Sequence, residues 1–116
     1  MKLLELVDAL NLAVKAGGSL LEGEVTGGYA SDLLSDVLAN AKEGNVWITL
    51  QTHVNIVAVA SAKELSGIII VNGRAPEVET VRRAEQEGIP VMITRLSTYE
   101  TVCRLYDLGV RQRAGV

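Results

Sequence analysis

The chain has 116 residues, 48% of them hydrophobic, with 11 basic against 14 acidic side chains and a formal charge of -3. That length supports one core, hiding roughly two-thirds of the surface of the unfolded chain, and the negative balance offers a polyanion no overall attraction. There is no Phe, and only Trp47, Tyr29, Tyr99 and Tyr106 are aromatic, so stacking platforms are scarce and nucleic acid is excluded as a partner.

Leu3, Leu4, Val7, Leu10 and Leu12 have near-helical spacing, and Ala16-Gly17-Gly18 ends the segment. This predicts a first helix and then a short strand around Leu12 to Lys15. Val25 to Tyr29 reads as a strand interrupted by Gly27-Gly28, a pair that marks either a bulge or a close backbone approach. From Ser31 a helical stripe of Leu33, Leu34, Val37, Leu38 and Ala41 begins, capped by Ser31 or Asp32 and closed by Gly44. Val46 to Leu50 is a strand. Val54 to Leu65 is rich in Ala and Val at every phase, which predicts a helix buried on more than one side.

Gly67 to Val71 is the most apolar strand and the longest apolar run, far short of the roughly 20 residues of a membrane helix. Pro76 then sits at a first helical position, with Val78, Val81 and Ala84 pointing inward and Gly88 as the stop before Ile89-Pro90. Val91 to Thr94 is the last strand. Ser97 with Glu100 spells a capping box for a final helix through Val102, Leu105, Tyr106 and Leu108. Residues 111–116 have no apolar period and read as a frayed basic tail after a domain spanning 1–110. The sum is an α/β fold: a single three-layer domain with a mostly parallel sheet of four to five strands and helices on both faces.

In such a sheet the ligand crevice lies beyond the carboxyl ends of the strands, near helix N-termini. The strand ends here are polar: Gly27, Gly28 and Ser31; then Thr52, His53 and Asn55; then Asn72, Gly73 and Arg74; then Thr94, Arg95, Ser97 and Thr98. These form the candidate ligand-binding rim. A second reading stands beside it, in which Ser31, Ser97 and Thr98 are helix caps and Asn72-Gly73 is a turn. His53 is the one group that changes charge near neutrality, read either as an acid/base or as an exposed surface imidazole.

No catalytic residues, metal site or cofactor are expected. One histidine makes no triad, and no local spacing supports metal ligation. Cys103, the single cysteine, precludes an internal disulfide and reads as a small core residue. Asp32 and Asp36, four apart, read as an acidic first helical turn rather than an acid pair. No glycine pair is followed by Gly-Lys-Ser/Thr, and there is no Gly-x-Gly-x-x-Gly, which disfavours a nucleotide-hydrolysing or dinucleotide enzyme. No leader pattern is present, so a cytoplasmic location away from membranes is expected.

Val25-Thr26-Gly27-Gly28-Tyr29-Ala30-Ser31-Asp32-Leu33-Leu34-Ser35-Asp36-Val37, Gly44 to His53, Gly67 to Gly73 and Gly88-Ile89-Pro90-Val91 together resemble the DRTGG domain family, from Leu3 to Gly109. The resemblance implies an α/β fold similar to the N-terminal domain of HPr kinase/phosphorylase and a regulatory or dimer-forming role beside CBS domains, phosphotransacetylases and pyrophosphatases. The family's Asp-Arg falls at Thr52-His53 and its Thr-Gly-Gly at Val71-Asn72-Gly73, so only the last glycine is kept. Free-standing relatives near hydrogenase genes suggest a regulatory setting.

The function expected is a non-catalytic regulatory or ligand-sensing module, homodimeric, taking a nucleotide-like or anionic ligand at the rim. The helix from Val54 to Leu65 is the expected two-fold contact, its small residues permitting close approach. The alternative is a small enzyme, or an enzyme accessory subunit, using His53 as acid/base with Asn55, Asn72 and Arg74 holding substrate. A further possibility is an adaptor for a protein partner such as a kinase or a hydrogenase-system protein.

Overall fold

Buried residues alternate between the two faces of each strand, and this alternation sets the layers. In the computed structural model, which describes residues 1–111, the strands are β1 (Ala13–Ala16), β2 (Gly27–Ala30), β3 (Asn45–Thr49), β4 (Gly67–Ile70) and β5 (Val91–Ile93). They form one sheet in the order β1-β5-β4-β3-β2. β2 to β5 are parallel to their neighbours, whereas β1 runs antiparallel to β5. The helices are α1 (Leu3–Leu10), α2 (Leu34–Asn40), α3 (Asn55–Ala62), α4 (Val78–Glu87) and α5 (Thr98–Asp107).

A parallel strand must bury both faces, and the β-branched residues of β3 and β4 do so. Trp47, Ile68, Ile70 and Val91 meet Val37, Ile56, Val57, Val59, Ala60 and Ala84 from α2, α3 and α4. On the opposite face Val46, Ile48, Ile69 and Met92 meet Leu3, Leu6, Leu10 and Leu105 from α1 and α5. The three crossover helices share one face because a sheet that grows in one direction with a constant crossover hand leaves them no other place. The terminal helices cover the other, giving the expected three layers. No helix among the described residues is long and apolar enough to cross a membrane.

Several expectations about individual faces are corrected. Cys103 is exposed rather than core, because α5 turns Thr101 and Leu105 inward and the residue two after Thr101 lies on the far side of a 3.6-residue turn. Val78 is 77% exposed while Thr80 is fully buried; the Thr80 hydroxyl donates to the Thr52 carbonyl at 2.7 Å, and a satisfied hydroxyl can enter a core. Leu38 is exposed because the line of Leu34, Val37 and Ala41 is the side turned to the core, and Leu33 is exposed because α2 begins only at Leu34. Asp32 therefore precedes the helix and shares no helical face with Asp36. Gly44 does not close α2, which ends at Asn40 with Ala41 as its cap; its positive φ of 81° serves the later turn into β3. The expected tail beyond Arg111 lies outside the described residues.

The expected contact helix, α3, turns Ile56, Val57, Val59 and Ala60 into the cluster that also contains Val37 and Ala84, while Ala58 and Ala62 are exposed on its outer side.

At the opposite edge from the rim, the Glu43 carboxyl is pushed up from the usual range by a hydrogen bond with Glu64, then by that group's charge and by desolvation. A raised carboxyl holds its proton in the folded state, so the contribution of the pair is present below the ordinary glutamate range and is lost as pH rises through the raised value. Above that window two like charges face each other. Glu43→Gln is expected to raise stability at neutral pH and to flatten the pH dependence between mildly acidic and neutral conditions. Thermal melts of both chains across that range check this, and identical profiles would contradict it.

Candidate functional site

The carboxyl ends of β2 to β5 share one edge, as parallel pairing requires. β1 is reversed, so its beginning lies there instead, with Ala13 paired to Ile93. This brings the start of the chain to the rim. Leu10, Asn11 and Ala13 join Gly73, Ile93, Thr94, Arg95 and Leu96 around a cavity of about 510 Å³. Local sequence ties none of the first three to Gly73. The one legible hint is Asn11, whose left-handed backbone (φ 53°) ends α1.

Asn72 and Gly73 form a tight turn, of which Gly73 lines the cavity. Both have positive φ, 59° and 66°, and the Arg74 N–H donates to the Val71 carbonyl at 3.3 Å, the pattern of a hairpin-type turn. Two left-handed residues in a row favour Gly and Asn, which explains why Asn is tolerated beside the retained Gly73. The Asn72 and Gly73 N–H groups donate to the carbonyls of Leu96 and Thr94, each at 2.8 Å. They are fully used in locking β4 to β5, so the turn reading holds for this pair. The Thr94 hydroxyl accepts from the Leu96 N–H at 3.2 Å, and Arg95 is exposed at the mouth with its Cγ over Gly73.

The other rim residues lie elsewhere. Ser31 accepts the Leu33 N–H at 3.2 Å, a local turn that leads into α2. Beside it Asp32 Oδ1 accepts from the Thr49 hydroxyl at 2.9 Å and from the Leu50 N–H at 2.7 Å, fastening the ends of β2 and β3 together. The backbone carbonyl of Thr52 accepts from Thr80 and from the Glu77 N–H, anchoring α4. His53 is exposed, and its Nδ1 accepts the Asn55 N–H at 3.2 Å; both residues shape the entry to α3. Arg74 is exposed and does not line the cavity. Ser97 caps α5 by accepting the Glu100 N–H at 3.2 Å, and Thr98 is the first helical residue. Of the thirteen rim residues, then, Gly73, Thr94 and Arg95 line this cavity.

Gly28 belongs to a second feature. Gly28, Tyr29 and Ala30 of the edge strand β2, with Ile48, Val102, Leu105, Tyr106, Val110 and Arg111, line an apolar groove of about 410 Å³. On the face away from it, the Tyr29 hydroxyl donates to Asp36 at 2.8 Å. That bond first, then those with Ser31 and Asn40, holds the Asp36 carboxyl below its usual range, and the same bond raises the Tyr29 hydroxyl. An acid kept ionised this way is a poor proton donor. No group of three or more His, Cys, Asp or Glu side chains is placed to hold a metal ion among the described residues.

A model of the DRTGG domain matches residues 5–108. No curated protein matches the chain. Among solved structures, the CBS and DRTGG domains of the regulatory region of Clostridium perfringens pyrophosphatase, complexed with the activator diadenosine tetraphosphate, superpose with a TM-score of 0.67 at 16% identity. The likeness covers 99% of this chain and 52% of that one, so the chain spans about half the length of that structure, and at this identity the likeness is one of fold. Since the family match runs from α1 to the end of α5 and takes in every strand, the chain belongs to the DRTGG domain family.

Proposed function

We propose that this domain is a non-catalytic regulatory module, working as a homodimer, that senses an anionic or nucleotide-like ligand in the cavity between Asn11 and Arg95. The observation that carries the reading is the cavity itself: about 510 Å³ at the carboxyl edge of the sheet, within the usual range of small-ligand sites. Arg95 supplies at its mouth a guanidinium suited to phosphate. Gly73 contributes backbone without a Cβ, so a ligand can approach closely. The regulatory region of the pyrophosphatase binds a nucleotide activator, which supports the ligand class and the regulatory role, with a separate enzyme as the target of the signal.

The alternative built on His53 gains nothing from the geometry. Its ring stands outside the cavity, with one nitrogen occupied by a backbone N–H.

Thermal melts against a panel of ATP, AMP, diadenosine tetraphosphate and inorganic phosphate test the proposal. A ligand at a hundred times its Kd adds about 2.7 kcal/mol, a rise on the order of 10 °C for a domain of this size. Arg95→Ala is expected to abolish the rise, and Arg74→Ala, outside the cavity, to preserve it. A panel that gives no rise, or a rise that Arg95→Ala leaves intact, would overturn the assignment.

A further inference from the structure

Ala13 and Ile93 are the last pair of the β1–β5 ladder at the carboxyl edge of the sheet. Beyond them the two segments part, one joined to α1 and the other leading to α5. The cavity of the proposed ligand site is the cleft that this parting opens, with Leu10 and Asn11 on one wall and Thr94, Arg95 and Leu96 on the other. The two walls differ in chemistry.

The first wall is the end of a helix. Asn11 caps α1, and its N–H goes back to the carbonyls of Asp8 and Val7, while the Leu12 N–H goes to Val7. The carbonyls of Leu10 and Asn11 therefore accept no backbone hydrogen bond among the described residues, and they carry the partial negative charge of a helix C-terminus. This wall favours a hydrogen-bond donor and repels an anion. The exposed Asn11 side chain adds an amide with both an acceptor and donors.

The second wall is built from donors. Arg82, Arg83 and Arg104 each pair with a glutamate, whereas Arg95 enters no ion pair among the described residues. The Thr94 hydroxyl, on a residue only 8% exposed, accepts the Leu96 N–H and keeps its own proton to give. No carboxylate lines the cavity, although acidic side chains outnumber basic ones 14 to 11 in the chain. Ala13, Ile93 and Leu96 supply apolar surface.

A ligand that satisfies both walls carries a donor on a flat ring at one end and an anion at the other. Adenine bears an amino group at ring carbon 6, where guanine and hypoxanthine bear a carbonyl oxygen. The Asn11 amide can turn to suit either group. The backbone carbonyls cannot, and an oxygen set against them is repelled. We infer that this site selects an adenine nucleotide, whose 6-amino group donates to the carbonyl end of α1 and to the Asn11 amide, and whose phosphate rests on Arg95. The inference rests on the ligand clause of the proposed function and adds the base, which that clause leaves open.

Calorimetric titration of the full chain with AMP, IMP and purine riboside 5′-monophosphate tests it, since the three share shape and charge and differ at ring carbon 6. AMP is expected to bind about tenfold tighter than either of the others, the worth of one hydrogen bond. Asn11→Gly keeps the left-handed backbone (φ 53°) that Asn11 adopts and removes only the amide. It is expected to weaken AMP by about tenfold and to leave inorganic phosphate unchanged. Equal affinity for the three compounds, lost in Arg95→Ala, overturns the adenine assignment and leaves the ligand clause standing, as does an AMP affinity that Asn11→Gly does not change. Binding of none of the three, or binding that survives Arg95→Ala, overturns the ligand clause and this inference with it. The comparison of bases needs no variant, so it decides the matter even if Asn11→Gly fails to fold.

Discussion

Trp47→Ala is expected to lower the free energy of unfolding by about 3–5 kcal/mol, a large part of the 5–15 kcal/mol that holds a typical domain together. Trp47 is fully buried in the middle of β3 and is among the largest such side chains in the chain. It packs between the sheet and the crossover helices with Val37, Ile56 and Ile68. Its indole N–H also donates to the Ser31 carbonyl at 2.8 Å, tying the loop after β2 to the core. Trp47→Phe keeps most of the apolar contact and removes that bond, so a smaller loss of about 1–2 kcal/mol is expected. Urea unfolding of the three chains separates the effects: the midpoints fall in the order wild type, Phe, Ala, with unchanged slope. An alanine variant within 1 kcal/mol of wild type would show that this part of the core is wrongly described.

Gly17→Ala is expected to cost about 2–5 kcal/mol, from a left-handed backbone penalty of about 1–2 and an overpacking penalty of about 1–3. Gly17 has φ +69°, and a Cβ placed there would lie 2.7 Å from Pro90 Cα and N and 2.9 Å from Ile89 C. All three are backbone atoms, so no rotamer change can relieve the contact. The Gly17 N–H also donates to Glu85 at 2.9 Å, which fixes the segment against α4. Gly23→Ala is the matched control, because nothing lies within 4 Å of its added Cβ, and it is expected to stay near neutral. Equal melting temperatures for the two variants would remove the argument.

What the sequence by itself determined is the alternation of elements and the layers that follow from it. Isoleucines 68 to 70 read as a strand buried on both faces because an all-apolar run between Gly and Asn-Gly leaves no polar side to expose. Ser97 read as a cap, Gly88 as a helix stop and Asn72-Gly73 as a turn, since each depends on chemistry within a few residues. The DRTGG resemblance was legible on the same local stretches.

What only the tertiary structure decided is which side of each helix faces in and which distant residues share a space. Cys103 and Val78 are apolar enough to enter a core, yet the helix rotation that buries Thr101 and Thr80 turns them out. Those threonines gave no signal, because their hydroxyls are satisfied by the carbonyls of Ser97 and Thr52, partners set by the fold. The candidate cavity shows the same limit. The parallel strand ends share one edge, but the antiparallel return of β1 brings Asn11 and Ala13 to the cavity there and leaves His53 outside it. Pairing direction between strands far apart in the chain depends on how long-range contacts close, and no local pattern of side chains encodes it.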